Sequence, residues 1–304
     1  MAVISTGNHP KALWPGINAI WGIEYDEKSQ QWQKVFTKAT SDKKYEEDFE
    51  STSFGLAPEK AEGTAILYDT HSQQSTTRYT NVTYGLGWIV TEEEFDDNQY
   101  EKLASFRTRA LAFSFRQTKE TVGGNILNRA FNSSFVGGDA VELVSTAHPT
   151  SGGGTQSNEL SPAADLSEAA LETLMIQVRN ALNSRGLKIA LVPRKLIAGP
   201  LNQFEAHRIV NSNLRPGTAN NDINAMRDMG MLPDGVMVYD YLTVGSDDWF
   251  IKTDAKDGLK MFQRKPYMFK QDNDFDTANR KAKASERYVF GWSDWRAVYG
   301  SPGV

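Results

Sequence analysis

A chain of 304 residues, 39 % hydrophobic and 23 % charged, has a globular composition with room for a sizeable core and two sub-domains, which excludes wholesale disorder. It holds no cysteine, which excludes disulfides, thiolate nucleophiles and cysteine-ligated zinc. A net charge of −5, with lysines and arginines scattered rather than striped, lacks the footprint of a dedicated nucleic-acid binder, and no apolar run is long enough for a membrane helix.

The first residues, MAVISTGNHPKALW, show no basic stretch followed by an apolar one, so no secretory signal is expected. Residues 1–45 mix polar residues with isolated large apolar ones, among them Leu13, Trp14, Ile17, Ile20, Trp21, Trp32, Val35 and Phe36. Pro10, Pro15, Gly16 and Gly22 interrupt any early helix, and a short helix is predicted over 29–39. This segment reads as an arm that packs on something else.

Residues 63–68 (GTAILY) and 79–90 (YTNVTYGLGWIV) both read as strands. In the second, Val82, Tyr84, Leu86, Trp88 and Val90 alternate with smaller or polar residues, the period of a half-buried strand. The polar DTHSQQSTTR between them reads as an exposed tip, so a long hairpin is expected over 46–90. A lone two-stranded hairpin is marginal in water, and its aromatic face calls for a partner surface.

Thr91 followed by Glu92, Glu93 and Glu94 is a helix-start signature, with Thr91 as cap and acidic residues at the positive end of the dipole. Leu103, Phe106, Ala110, Leu111, Phe113 and Phe115 form the predicted apolar stripe, and Gly123-Gly124 is expected to end the helix near residue 122. Short strands and a glycine loop follow over 132–164. A second amphipathic helix is predicted over 166–185, carrying Leu171, Leu174, Met175, Val178, Ala181 and Leu182, with Gly186 as its stop. Beyond it, strands are predicted at 188–193, 236–242, 249–253 and 259–263, and a helix at 200–211. Asp257-Gly258 reads as a hairpin turn between the last two strands. The aromatic ERYVFGWSDWRAVYG (286–300) reads as a final strand.

Chemistry is sparse. P-loop, HExxH, GxSxG and zinc-ligand spacings are missing, and GLG at 85–87 lacks the strand-turn-helix context of a dinucleotide site. Of the four histidines, His148 stands beside Ser145, Thr146 and Thr150 and could act as a general base, but no activating third residue can be named. Its simpler reading is a locally hydrogen-bonded ring at a strand end. Asp96-Asp97, Asp247-Asp248 and DNDFD (272–276) lack calcium-loop spacing and read as solvated acids. Gly152–Gly154 leads into another polar stretch instead of a helix N-terminus, so it reads as a flexible connection and not a phosphate cradle. No catalytic, cofactor-binding or metal-binding residue is expected.

Taken together, FGLAPEKAEGTAILYDT, TTRYTNVTYGLGWIVTEEEFDDNQY, STAHPTSGGGTQSN and RKAKASERYVFGWSDWRAVYGSPG resemble the major capsid proteins of tailed phages, particularly the Mu-like major head subunits, over about residues 45–300. The resemblance implies an α+β fold of the Hong Kong 97-like capsid type. It implies an N-terminal arm (1–45), an extended β-hairpin loop (46–90), a spine helix with the peripheral domain (91–165), an axial domain (166–250) and C-terminal strands returning to the peripheral domain (251–304). The implied function is structural, not enzymatic: self-assembly through pentamers and hexamers into an icosahedral shell enclosing double-stranded DNA without sequence-specific binding. Implied partners are further copies of the chain, a scaffolding protein, a maturation protease, a portal and decoration proteins; no membrane is involved. The implied location is the virion, assembled in the host cytoplasm. Some relatives crosslink their loops through lysine and asparagine; Lys60 lies in the loop here, and nothing in the sequence shows that it reacts.

Aromatic segments that find no cover within one subunit can find it on adjacent copies through heterologous contacts that close into rings. Trp14, Trp21, Leu67, Tyr68, Tyr79, Tyr84 and Trp88 are the expected inter-subunit contacts. An encapsulin-like compartment, another virion component, or a hydrolase built on His148 or the acidic clusters are the alternatives.

Overall fold

A computed structural model describes residues 25, 29–91, 93–94, 100–215, 222–243, 247–256, 258–274 and 279–304, the side chains of 100–104 and 273 excepted. The arm does not form the helix expected over 29–39. Gln31–Lys34 is one 3-10 turn, and Thr37–Thr40 is a strand (β1) lying parallel to Leu259–Asn273 (β10). Two groups override the helical spacing. The buried Glu120 carboxylate accepts the N–H groups of Gln31 and Trp32, at 2.6 and 3.0 Å, and the open edge of β10 takes up β1.

The expected hairpin is also re-paired. Tyr45–Ser51 (β2) and Gln73–Thr80 (β3) form a two-stranded antiparallel ribbon, while Val82–Val90 (β4) pairs instead with Arg280–Trp292 (β11). Residues 63–68 are coil. The polar run predicted as a tip is largely a strand because its serines and threonines suit a ribbon wet on both sides. Arg78 ties it to β2, reaching Glu47 at 2.7 Å and lying 4.4 Å over the Tyr45 ring.

Thr91 Oγ accepts the N–H of Glu94 at 3.4 Å, as the capping pattern anticipates. The long helix α1 spans Tyr100–Asn128 and runs straight through Gly123-Gly124. Those glycines permit close approach: a Cβ on Gly124 would lie 2.8 Å from the Tyr241 carbonyl oxygen. The buried face of α1 carries Leu111, Ala112, Phe115 and Leu127, whereas Phe106 and Phe113 point outward.

His148–Pro149 (β5) and Thr155–Gln156 (β6) form a miniature hairpin. Helix α2 spans Glu168–Arg179, its first turn capped by the Ser167 hydroxyl accepting from Ala170 N–H. The next strand, β7, is Pro193–Ala198, about five residues later than predicted, because Ala190 adopts φ +52° and breaks the run before it. Helix α3 is Gln203–Asn211, α4 is Ala225–Asp228, β8 is Val236–Val238 and β9 is Trp249–Thr253. After β11 come a 3-10 turn, Trp295–Ala297, and β12, Val298–Ser301.

Two four-stranded sheets organise the core: β1-β10-β11-β4 and β12-β9-β7-β8. β9 and β10 thus belong to different sheets and do not pair as the expected hairpin; Asp257 of the expected turn lies outside the described residues, and at Gly258 a Cβ would overlap that of Ala297. The second sheet is buried on both faces. Leu196, Ala198, Trp249, Ile251 and Tyr299 meet α2, α3 and α4, while Ile197, Met237, Phe250 and Val298 meet the end of α1, Trp32 and Phe36. Among the described residues no helix is long and apolar enough to cross a membrane.

Candidate assembly interface

The ribbon β2–β3 leaves the body at Thr80–Asn81 on a firm base. Tyr79 is buried, its ring 4.9 Å edge-on to Phe262 and its hydroxyl hydrogen-bonded to Ser293. Only glycine fits at 291, where a Cβ would come within 2.7 Å of the Tyr79 ring. Asp48 accepts from Lys260 Nζ and from the Ser293 hydroxyl, each at 2.6 Å, and Arg296 donates to Glu50 at 3.2 Å. Asn81 donates to Ser41 Oγ and to the Lys43 carbonyl. These bonds fix the angle at which the ribbon departs.

Beyond the ribbon, residues 52–72 form an irregular tip. Phe54, Leu56 and Ile66 are exposed, Leu67 is 72 % and Tyr68 90 % exposed. A run of large apolar side chains in water marks an interaction surface. The tip is tethered to the turn after α2: Arg185 pairs with Asp69 and donates to the Thr70 carbonyl at 3.2 Å. The Arg185 guanidinium, helped by the Gly55 N–H at 2.8 Å, holds the Asp69 carboxyl well below the usual carboxylate range. Ser72 N–H donates to Thr52 Oγ at 2.8 Å and closes the neck.

The expected contact residues divide. Leu67 and Tyr68 stand in solvent on the tip. Tyr79 does not: its side chain is spent inside its own chain. Tyr84 stacks on Tyr288 at 4.6 Å, and both Tyr84 and Trp88 are half-buried against the cluster formed by Leu111, Ala112 and Phe115. Trp14 and Trp21 lie outside the described residues. Missed by the sequence reading were Leu56 and Ile66, and Ile176 and Met229, which rim a cavity between α2 and α4. Ile176 could have been found, since it falls off the stripe of Leu171, Leu174, Met175 and Val178; Met229 carried no such signal.

The candidate catalytic residue is sealed. His148 is 0 % exposed and stacks on Trp295 with ring centroids 4.2 Å apart and planes 5° apart. Its Nδ1 lies 2.7 Å from Asp139 Oδ2 and its Nε2 3.1 Å from Asn158 Oδ1. Asn158 spends its amide nitrogen on the carbonyls of Leu143, Trp295 and Val298, so the oxygen it turns to His148 accepts a proton from Nε2. Both ring nitrogens are thus committed, and no substrate reaches them. The ring holds a buried polar joint between the 139–158 region and the C-terminal turn.

The glycine loop closes as a hydrogen-bonded turn between β5 and β6. Thr150 N–H donates to the Gly154 carbonyl at 2.9 Å, and the Thr150 hydroxyl accepts from Gly154 N–H at 3.1 Å. With its amides partly satisfied and no helix behind it, the loop offers no anion cradle. Of the acidic run 272–276, Asp274 pairs with Lys281, and residues 275–276 lie outside the described region. Among the described residues no cluster of three or more ligating side chains could hold a metal.

Residues 74–301 match the phage capsid protein family. The chain belongs to that family. No curated protein sequence matches the capsid protein significantly. Its fold is similar to that of the mature capsid of bacteriophage PhiM1, with TM-score 0.58 and 10 % identity over 90 % of this chain and 86 % of that one. It is likewise similar to the capsid of Myoviridae phage XM1, with TM-score 0.54 and 12 % identity over 91 % and 92 %. A virus-like particle from Pyrococcus furiosus matches with TM-score 0.52 and 10 % identity over 95 % and 98 %. The fold is the Hong Kong 97-like capsid fold anticipated from the sequence.

Proposed function

We propose that this capsid protein is the major head subunit of a tailed phage. It assembles through pentameric and hexameric capsomers into an icosahedral shell around double-stranded DNA, and it does so without catalysis. The observation that carries this reading is the tip: Leu56, Ile66, Leu67 and Tyr68 are displayed in water at the end of a ribbon whose base is buried and hydrogen-bonded. A chain that rigidly presents what it cannot itself cover is built to lay it on a neighbour.

Residues 1–45 serve as the arm, whose β1 adds to the edge of β10, 46–81 as the extended loop, α1 with β10, β11 and β4 as the peripheral domain, and the sheet β12-β9-β7-β8 with α2 to α4 as the axial domain. Burying a Leu, Ile or Tyr of the tip is worth about 1.5–3 kcal/mol each. Association costs consume much of that, leaving roughly 3–5 kcal/mol per contact, enough when each subunit makes several. Scaffolding protein, maturation protease, portal and decoration proteins act during assembly in the host cytoplasm, and the virion is the destination. The net charge of −5 leaves little electrostatic grip on packaged DNA, so the shell retains it mechanically.

The test is a deletion of residues 54–69 with a short Gly-Ser bridge. It removes the tip and spares the paired strands of the ribbon. Electron microscopy should show rings and shells for the intact chain and none for the deletion, while circular dichroism reports an unchanged fold. Shells formed by the deletion would overturn the proposal; cargo-filled cages without DNA in infected cells would replace a phage head by a compartment.

A further inference from the structure

Among the described residues the sheet β1-β10-β11-β4 has two open margins, and they are built differently. β1 pairs only with residues 260–263 of β10, so residues 264–273 run on with no strand on that side. That margin carries Arg264, Lys265, Pro266 and Lys270, and its pairing with β11 shifts register twice. Lysine, proline and bulges are the features that keep a sheet edge from adding another strand. β4 forms the opposite margin and has none of them. From Val82 to Val90 it holds no charge and no proline, and its register with β11 runs unbroken. Val82 is 48 %, Leu86 52 % and Ile89 59 % exposed. An open, uncharged strand of this length is a template for pairing with another chain.

The residues of β4 point to which chain. VTYGLGWIV reads nearly the same from either end about Leu86: Val82 matches Val90, Thr83 matches Ile89 as a β-branched residue, Tyr84 matches Trp88 as an aromatic, and Gly85 matches Gly87. A strand laid antiparallel on a copy of itself about Leu86 sets each residue opposite its match. Aromatic then faces aromatic and β-branched faces β-branched, the cross-strand pairs that stabilise sheets, and no like charges meet. Gly85 agrees with a second backbone at this margin. A Cβ there would meet only the Ala284 carbonyl oxygen, at 3.8 Å, so packing within the chain does not require glycine. Glycine inside a strand often marks the close approach of another backbone.

We propose that two copies of this chain pair β4 to β4, antiparallel about a two-fold axis at Leu86, so that their two sheets become one. The pairing rests on the capsid role for its setting. It makes an interface near or below the roughly 1,000 Å² that a free-standing one needs, so other contacts bring the copies together. Heterologous contacts close a ring, and this isologous contact joins a subunit of one ring to a subunit of the next.

The chain has no cysteine, so single cysteines report the contact without background. Leu86→Cys places a thiol on the axis opposite its own copy, where Cα atoms about 4.5–5.5 Å apart suit a disulfide. Position 83 stands about 20 Å from its own copy but opposite position 89. Shells are assembled from Leu86→Cys, from Thr83→Cys, and from a mixture of Thr83→Cys and Ile89→Cys subunits, then oxidised with copper phenanthroline and run on non-reducing gels. Disulfide dimers are expected from the first and third and not from the second. Adding Leu86→Lys to both members of the mixture sets two lysines face to face and should slow its dimer formation about fivefold, the factor that 1 kcal/mol represents. Shells in which Leu86→Cys forms no dimer would overturn the pairing and leave the capsid role intact. Dimers from Thr83→Cys alone, or linking indifferent to Leu86→Lys, would overturn the register and with it the two-fold axis. Dimers through Leu86→Cys without any shell would keep the pairing and sink the capsid role.

Discussion

Asn158 offers the sharpest test of how the fold is joined. Its side chain is fully buried and makes five contacts: nitrogen to the carbonyls of Leu143 (2.8 Å), Trp295 (3.2 Å) and Val298 (2.8 Å), oxygen to Ser145 N–H (2.8 Å) and His148 Nε2 (3.1 Å). Asn158→Ala leaves Ser145 N–H and the His148 ring without their acceptor, and Leu143 and Val298 carbonyls without a donor. Each orphaned buried group costs about 1–3 kcal/mol, less what entering water and small shifts restore. We expect a net loss of about 3–5 kcal/mol, among the large single-residue effects. Asn158→Asp keeps the shape but turns an oxygen toward three carbonyl oxygens. At neutral pH it should cost at least as much as alanine, and its deficit should shrink on acidification as the carboxyl takes up a proton that can donate. Urea unfolding of the dissociated subunit, followed by tryptophan fluorescence, reads both losses, since Trp295 stacks on His148 within this joint. A loss below about 1 kcal/mol for alanine would refute the joint, because that is the size of one ordinary hydrogen bond. Equal deficits for alanine and aspartate at every pH would refute the orientation assigned to the amide.

Three further outcomes follow from the packing. Gly124→Ala gains about 1 kcal/mol of helix propensity but forces a methyl against the Tyr241 carbonyl, an overpacking cost of roughly 1–3 kcal/mol, so it should lower stability in chemical denaturation. Gly123→Ala, whose nearest neighbours stand at 3.4 Å, should be neutral or better, and a stabilised Gly124→Ala would contradict the close approach. Burial lifts the Glu120 carboxyl above its ordinary 4.5, so the folded chain binds that proton more tightly than the unfolded one, and this contribution fades as pH rises through the raised value. Glu120→Gln should therefore flatten the fall of stability with pH above about 4.5; an unchanged slope would count against it. Arg185→Ala removes the tether of the tip, and limited proteolysis within residues 54–69 should quicken severalfold with no change in unfolding midpoint. Unchanged cleavage would mean that the tether does not restrain the tip.

What the sequence determined by itself was mostly local. The apolar spacing of Leu171, Leu174, Met175 and Val178 and the serine before them made α2 legible, and the Thr91–Glu94 cap and α3 were legible for the same reason: helical contacts span three or four residues. The family was legible too, through motifs spread along the chain. Tertiary structure alone decided strand partnership. β4 alternates as a strand should, yet its partner lies some two hundred residues on, in β11, while β3 carries a polar sequence that pairs with β2 only because the ribbon is solvated on both sides. It also decided the meaning of glycines and histidine. Gly123-Gly124 reads as a helix stop and instead admits Tyr241, and His148 reads as a possible base until Trp295, Asp139 and Asn158 close around it. In each case the deciding atoms are distant in sequence, and such contacts form only where the packed core brings them together.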